Sequence, residues 1–450
     1  MSDPGLAQGL VVFFLLCLVG CAIVFVTSRH RDRLQFQLRL FLIAFAIRFA
    51  LSIAIYQFGL VSVVGDEDAS GWRVGAGFHW NWTHSGMTLY QLPFELLRAF
   101  EGTNRGYHFL VAAFFFITDS PVRLVAAVMN CFVGALTVLF AYRTARSIFS
   151  DWVAERVAWW TCLFPSMLIW SAMTVKEPVV IFLETLALYA CTRLRQSGLS
   201  IPHLVVAAAT LVLLLPFRYY AAYLVGAAVL LSLLAPALFQ PKSGAAAFSL
   251  AAVVLPIIVS TGWLARHEAS FRSFDLDRIQ EIRAFSAGMD QSGTDSGVST
   301  GDIRTYNGLV YGMTVGAAHL LLAPFPWQLG GASLRMLLTL PELLYWWWLV
   351  YAGLIPGLIH AVRTRLSDVR AMLLLLLGFG LLYSLTFGNV GLVFRQRAQL
   401  LPWLFILAAA GLEQRALRRL QGPPQIEGKD GAVAVPFGGA PYLRPPASIS

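Results

Sequence analysis

The sequence predicts an all-α polytopic membrane protein with about ten to twelve transmembrane helices and outer-face loops that contain interfacial helices. Three observations carry that fold class. Of 450 residues, 58% are hydrophobic and 13% are charged, and mean hydropathy is +0.68. Apolar runs of roughly 18 residues or more recur along the chain, the length a helix needs to cross a bilayer core. Basic residues concentrate in the short connectors between those runs, as the positive-inside rule requires of cytoplasmic loops. These are "RHRDR" (Arg29 to Arg33), "YRTAR" (Tyr142 to Arg146), "RLR" (Arg193 to Arg195), "RTR" (Arg363 to Arg365) and "EQRALRR" (Glu413 to Arg419). The net charge of +9 therefore reports topology, and its placement argues against nucleic acid as a partner.

The elements follow in order. Leu10 to Ser28 is the first span and reaches the cytoplasm at "RHRDR"; with no basic residues before it, it reads as a retained span, not a cleaved signal. Arg39 to Val64 returns outward and delivers "GDEDASGW". Residues 65–118 form a broken, semi-polar outer region rich in Trp, His and Gly, in which Leu92 to Phe100 reads as an interfacial amphipathic helix. Asp119-Ser120-Pro121 marks a helix start, and Pro121 to Tyr142 crosses inward. Val153 to Val175 goes out, Pro178 to Thr192 returns, Ile201 to Phe217 goes out, Ala221 to Phe239 returns, and Ala245 to Leu264 exits. Residues 266–307 form a second outer loop, and Leu309 to Ala323 is a short or re-entrant outer helix. Leu337 to Val362, Val369 to Phe387 and Gln399 to Ala416 complete the bundle. Residues 1–421 thus form one transmembrane domain, and 422–450, rich in Pro and Gly, a disordered cytoplasmic tail. The five cysteines all lie in apolar runs, without metal-ligand spacing, and read as small packing residues.

This alternation segregates the polar chemistry. Asp66, Glu67 and Asp68, the Lys176-Glu177 pair, Arg218, and Arg395 and Arg397 in "GNVGLVFRQR" all fall on the outer face. Each has an ordinary reading as well: a solvated loop start, a snorkelling lysine beside a first-turn glutamate, or an interfacial arginine on lipid headgroups. Taken together they offer a general base within reach of a hydroxyl and cations whose forks match phosphate oxygens. Glu184, seven residues after Glu177, shares its helix face at greater depth, where an acid is costly and needs a partner; Arg48 and Arg123 are the candidates. His79, His84 and His108 lack the spacing of a helical zinc pair, so no metal site is assigned. A divalent cation is compatible with the acids but not required by them. Trp80, Trp82 and the run Trp346 to Trp348 read as interfacial belt residues.

The acid cluster after an early span, then "RGYHFLVAAFFFI", "NCFVGALTVLFAYRTARSIF" and "WWTCLFPSMLIWSAMTVKEPVVIF", resemble the lipid-carrier-dependent membrane glycosyltransferases of the C-type fold. That group includes the protein O-mannosyltransferases and the aminoarabinose transferase. The similarity is best over Val61 to Thr192; farther on it rests on topology and on "LLLAPFPWQ", "LPELLYWWW" and "GNVGLVFRQRAQLLP", which look like a bacterial subgroup. The usual tyrosine shortly after the acids is not evident in "DEDASGWRVG", and Leu10 to Ser28 looks like an additional span. The resemblance implies Asp66, with Glu67, as the base that activates an acceptor hydroxyl, and Glu177 as the later catalytic acid. It implies Lys176, Arg218, Arg395 or Arg397 as ligands of the carrier phosphate. The expected partners are a polyprenyl-phosphate sugar donor, a glycan, lipid or protein acceptor, and membrane lipids, at the outer face of a bacterial inner membrane. A polymerase or ligase using lipid-diphosphate-linked saccharide, or a lipid-linked saccharide transporter, is the alternative.

Overall fold

The computed structural model describes residues 5–28, 33–61, 71–235, 241–260, 275–288, 301–329 and 339–420. The segment bearing Asp66, Glu67 and Asp68 and the tail from Gly422 lie outside these residues. Among the described residues the secondary structure is helical, with no strand. Among these residues six helices are long and apolar enough to cross a membrane, or up to seven if a bent pair counts as one span. Four further apolar helices are shorter.

The chain runs α1 (Leu6–Thr27), α2 (Leu34–Gln57), α3 (Gly71–His84), α4 (Leu92–Leu97), α5 (Gly106–Thr118) and α6 (Arg123–Ile148). Next come α7 (Asp151–Leu163), α8 (Pro165–Ala172), α9 (Glu177–Ser197), α10 (Ile201–Phe217), α11 (Tyr219–Leu234) and α12 (Pro241–Ser260). The last are α13 (Leu276–Gly288), α14 (Tyr306–Leu322), α15 (Leu340–Leu349), α16 (Ile355–Thr364), α17 (Leu366–Leu385) and α18 (Val390–Leu420). A π-helical turn, Val350–Leu354, joins α15 to α16.

Helix α6 is the axis. Its 26 residues span about 39 Å at 1.5 Å per residue, and α1, α2, α7, α8 and α9 pack around it. Its C-terminal end gathers the basic connectors. Arg33 pairs with Asp151 at 2.6 Å and Glu155 at 2.9 Å, and Arg146 with Asp151 at 2.6 Å. Gln196 donates to the Ser147 carbonyl, and Ser150 donates to Glu413. Its N-terminal end meets the other set: Arg123 lies over the Tyr56 ring at 4.5 Å, and the Tyr56 hydroxyl accepts from the Thr174 amide at 3.1 Å. The Arg33–Arg146 cluster and the Arg123–Tyr56 contact thus mark the two ends of one helix.

Several boundaries differ from the sequence expectation, each for a local reason. The run Val153 to Val175 is not one helix. Phe164 precedes a proline and is extended (ψ 125), because a following proline ring disfavours helical geometry, and Pro165 restarts the helix at its first turn. The second span is helical from Leu34 to Gln57, earlier at both ends than its apolar run. Asp119 does not open α6 but closes α5, in the left-handed region at φ 50; α6 begins at Arg123 after an extended Val122. The interfacial stretch from Leu92 is a short helix and a 3-10 turn that leaves Phe94 and Leu97 exposed. Within the segment 266–307, α13 docks on the α17–α18 junction, where Arg283 Nη1 donates to the Leu385 carbonyl at 2.8 Å. Any side chain at Gly388 would collide with Ser286 and the Arg283 carbonyl there.

Candidate functional site: a buried two-arginine centre

Helices α8 and α9 meet at a 116° bend, and the turn between them, Met173 to Lys176, is held from several sides. Asn130 Nδ2 donates to the carbonyls of Met173 (2.6 Å) and Val175 (2.7 Å) and contacts the Tyr107 hydroxyl at 3.1 Å. Lys176 Nζ donates to Asn104 Oδ1 at 3.1 Å. With the turn fixed, Pro178 near the helix start presets helical φ for the first turn of α9. Glu177 is therefore delivered at a defined position, with an exposure of only 1%.

Two arginines converge on it. Arg218, between α10 and α11, donates from Nη2 to Glu177 Oε1 at 2.7 Å, and Arg395 Nε lies 2.8 Å from the same oxygen. Arg218 also donates from Nη1 to Gln399 Oε1 at 2.7 Å, and the Tyr383 hydroxyl donates to that oxygen at 2.5 Å. With both lone pairs of Oε1 engaged, the Gln399 amide nitrogen faces Glu184 and donates to its carboxylate. Four segments distant in sequence thus build one polar column: two guanidinium groups on a single carboxylate, braced from beneath by Gln399. Glu177 Oε2 and Glu184 Oε2 are buried with no hydrogen-bond partner among the described residues. A guanidinium fork also suits the oxygens of a phosphate.

Val61, the last described residue before the acidic segment, lies near this centre. Five positions before Asp66, it packs with Leu51 and Tyr56 against Trp170, Met173, Val175 and Ala398. Asp66 and Glu67 themselves lie outside the described residues. Of the other sequence candidates, Glu177, Arg218 and Arg395 come together, and Lys176 stands next to them on its bond to Asn104.

Arg397 does not join them. Residues two apart on a helix do not share a face, and Arg397 points to the other side of α18. There its Nη1 donates to the Ala323 carbonyl at 2.8 Å, and its guanidinium lies 5.8 Å from the Trp346 ring centroid. Trp346 and Trp347 donate to the carbonyls of Leu321 and Leu322 at 2.5 and 2.8 Å. Together these three side chains satisfy the last carbonyls of α14. The belt reading of Trp346 is accordingly corrected, since it is fully buried, while Trp348 and Trp80 are exposed and Trp82 is buried.

The expected partners of Glu184 are corrected too. Arg123 is on Tyr56, and Arg48, fully buried, donates to Ser171 Oγ (2.8 Å) and to the carbonyls of Ala44, Cys162 and Thr161. Arg48 thereby caps the carbonyl end of α7 at the Phe164–Pro165 break. The amide end of α8 is capped by Glu342, whose carboxylate accepts from the Ser166 amide at 2.9 Å and from the Ser166 hydroxyl. A cation at a helix C-terminus and an acid at an N-terminus each complement the helix dipole. Both half-helices are therefore stabilised where the span breaks, which fixes the path of α8 toward Lys176-Glu177.

Among the described residues no group of three or more His, Cys, Asp or Glu is placed to hold a metal ion. His79 contacts Thr83, and His84 Nδ1 lies 2.8 Å from the Trp80 carbonyl. The three cysteines 131, 162 and 191 are buried and unbridged. The chain matches no protein-family model and no curated protein sequence.

Proposed function

We propose that this chain is a glycosyltransferase of a bacterial inner membrane that moves a sugar from a polyprenyl-phosphate donor to an acceptor hydroxyl at the outer face. The observation that supports the reading is the buried pairing of Arg218 and Arg395 on Glu177, at the end of the bundle opposite the basic connectors. In this reading the chain passes eleven times between the two ends, using the shorter apolar helices as crossings too. The α7–α8 pair counts as one crossing, and residues 71–118 form an outer layer. The positive-inside rule then puts the basic end in the cytoplasm.

The chemistry follows from the charges. Asp66, with Glu67 beside it, takes the proton from the acceptor hydroxyl as that oxygen bonds to the anomeric carbon. The bond from that carbon to the phosphate oxygen breaks, and its electron pair leaves with the polyprenyl phosphate. Arg218 and Arg395, with Lys176 at the rim, stabilise the charge that develops on the leaving phosphate. One displacement without a covalent nucleophile inverts the anomeric configuration. Glu177 holds the two arginines in place and offers its second oxygen to the acceptor. A lipid diphosphate would fit the same cations, so the donor used in the assay separates transferase from polymerase or ligase.

The test is saccharide transfer by purified protein reconstituted in liposomes with a polyprenyl-phosphate sugar. Asp66→Asn should lower turnover by roughly 10²–10⁴-fold, the scale of a lost general base, with little change in donor binding. Full transfer by Asp66→Asn would remove Asp66 from the mechanism.

A further inference from the structure

The last turn of α17 and its connection to α18 are gripped from α13 and α14. The Ser384 carbonyl lies so close to α14 that any side chain on Gly316 would strike it. Arg283 of α13 donates from Nη1 to the Leu385 carbonyl at 2.8 Å. The Phe387 ring stacks on His319 of α14, with centroids 4.6 Å apart. Gly388 lies against α13, where a Cβ would collide with Ser286 and the Arg283 carbonyl. Asn389 then opens α18, its Oδ1 accepting from the Gly391 amide at 2.6 Å. Arg283 is only 3% exposed, and the Leu385 carbonyl is its one hydrogen-bond acceptor among the described residues. That carbonyl ends α17, where the helix dipole favours a cation.

The gripped connection lies between two members of the Glu177 centre. Tyr383, two residues before Leu385, ties the end of α17 to that centre through its bond to Gln399 at 2.5 Å. Arg395, whose Nε is 2.8 Å from Glu177 Oε1, sits in the second turn of α18. A packed helix acts as a rigid element and carries a shift of its first turn to its second. We propose that Arg283 is a positioning residue for Arg395. By clamping α13 on the α17–α18 connection, it sets where α18 begins, and so the register in which Arg395 meets Glu177 and the carrier phosphate. Its effect on phosphate binding rests on the sugar-transfer reading, whereas the clamp itself does not.

Two measurements on the full-length protein in nanodiscs test this: binding of a sugar-free polyprenyl phosphate, and hydrogen exchange of the backbone amides over the first two turns of α18. Arg283→Met keeps length and packing but cannot donate. It should weaken binding by roughly fivefold, the scale of a residue acting through packed neighbours, and speed exchange at the start of α18. Arg283→Lys, whose ammonium still donates to the Leu385 carbonyl, should restore both. A residue that acts through Arg395 has no further effect once that side chain is gone, so Arg283→Met should weaken binding no further in an Arg395→Gln background. An equal fold-loss in both backgrounds would make Arg283 a general stabiliser and overturn the positioning role. Wild-type exchange in Arg283→Met would overturn the clamp. If Arg395→Gln alone binds the lipid as wild type does, the phosphate reading fails, and faster exchange in Arg283→Met with rescue by lysine would still uphold the clamp.

Discussion

Replacing Glu342 by alanine tests whether the break between α7 and α8 is held by charge. In the wild type the Glu342 carboxylate accepts both from the Ser166 amide and from its hydroxyl, in a site where Glu342 is 5% exposed. Glu342→Ala leaves the Ser166 amide with no acceptor, since the first amides of a helix have no partner within it. One such buried donor costs about 1–3 kcal/mol, and the Ser166 hydroxyl loses its acceptor as well. Arg397, whose charge faces Glu342, also loses its acid. The sum is a destabilisation of about 3 kcal/mol. Glu342→Gln keeps an oxygen for the amide, and its new NH₂ can donate to the Ser166 hydroxyl, so its cost should be near 1 kcal/mol. Equilibrium unfolding in mixed micelles, with each variant compared to wild type, reads both numbers. If alanine and glutamine behave alike, within about 0.5 kcal/mol of wild type, the carboxylate does not cap α8 and the account of the break is wrong.

Gly357→Ala should destabilise by about 1–3 kcal/mol, because a Cβ there would run into the Leu407 carbonyl where the π-helical turn and α16 touch α18 through Gly353, Gly357 and Gly411; Gly380→Ala, with open space around it, should be neutral or stabilising in the same unfolding assay. A membrane-impermeant thiol reagent added outside intact cells should label Ser85→Cys and spare Ser367→Cys, and the reverse pattern would invert the topology. Hydrogen bonds from Arg304 hold the Asp302 carboxyl below the usual carboxylate range. The turn they order is therefore fully formed above the ordinary carboxylate pKa and is lost as pH falls through the depressed value. Carboxyl-carbon NMR titration should show that value rising in Arg304→Gln, and an unchanged titration would discount the pairing.

Much of this fold is legible in the sequence because hydropathy and charge placement are one-dimensional signals. The apolar runs become helices, and the basic connectors meet at one end of α6. The Lys176-Glu177 pair stands in a tight turn at the other end, as a short polar interruption before a proline implies. What escapes the sequence depends on contacts between distant segments. Gln399 is one amide in an apolar run, and only the fold shows it bridging Arg218, Tyr383 and Glu184. Glu342 reaches a helix start 176 residues away, and no periodicity encodes such a contact. Two misreadings had usable signals. Pro165 should have split the run from Val153 to Val175, and the two-residue spacing of Arg395 and Arg397 already places them on different faces of a helix.

The central claim is that Arg218 and Arg395 form a phosphate site partly occupied by Glu177. Binding of a sugar-free polyprenyl phosphate to the purified protein in nanodiscs tests it most directly, through the sign of two single substitutions. Arg395→Gln removes a ligand and should weaken binding by roughly tenfold, as for a lost charge-assisted hydrogen bond of about 1.5 kcal/mol. Glu177→Gln removes the competing carboxylate and leaves both arginines to the phosphate, so binding should tighten even though sugar transfer is lost. Opposite shifts are the predicted result. Equal affinities in wild type, Arg395→Gln and Glu177→Gln would mean that the carrier phosphate binds elsewhere, and the two-arginine centre would then be only a structural ion cluster.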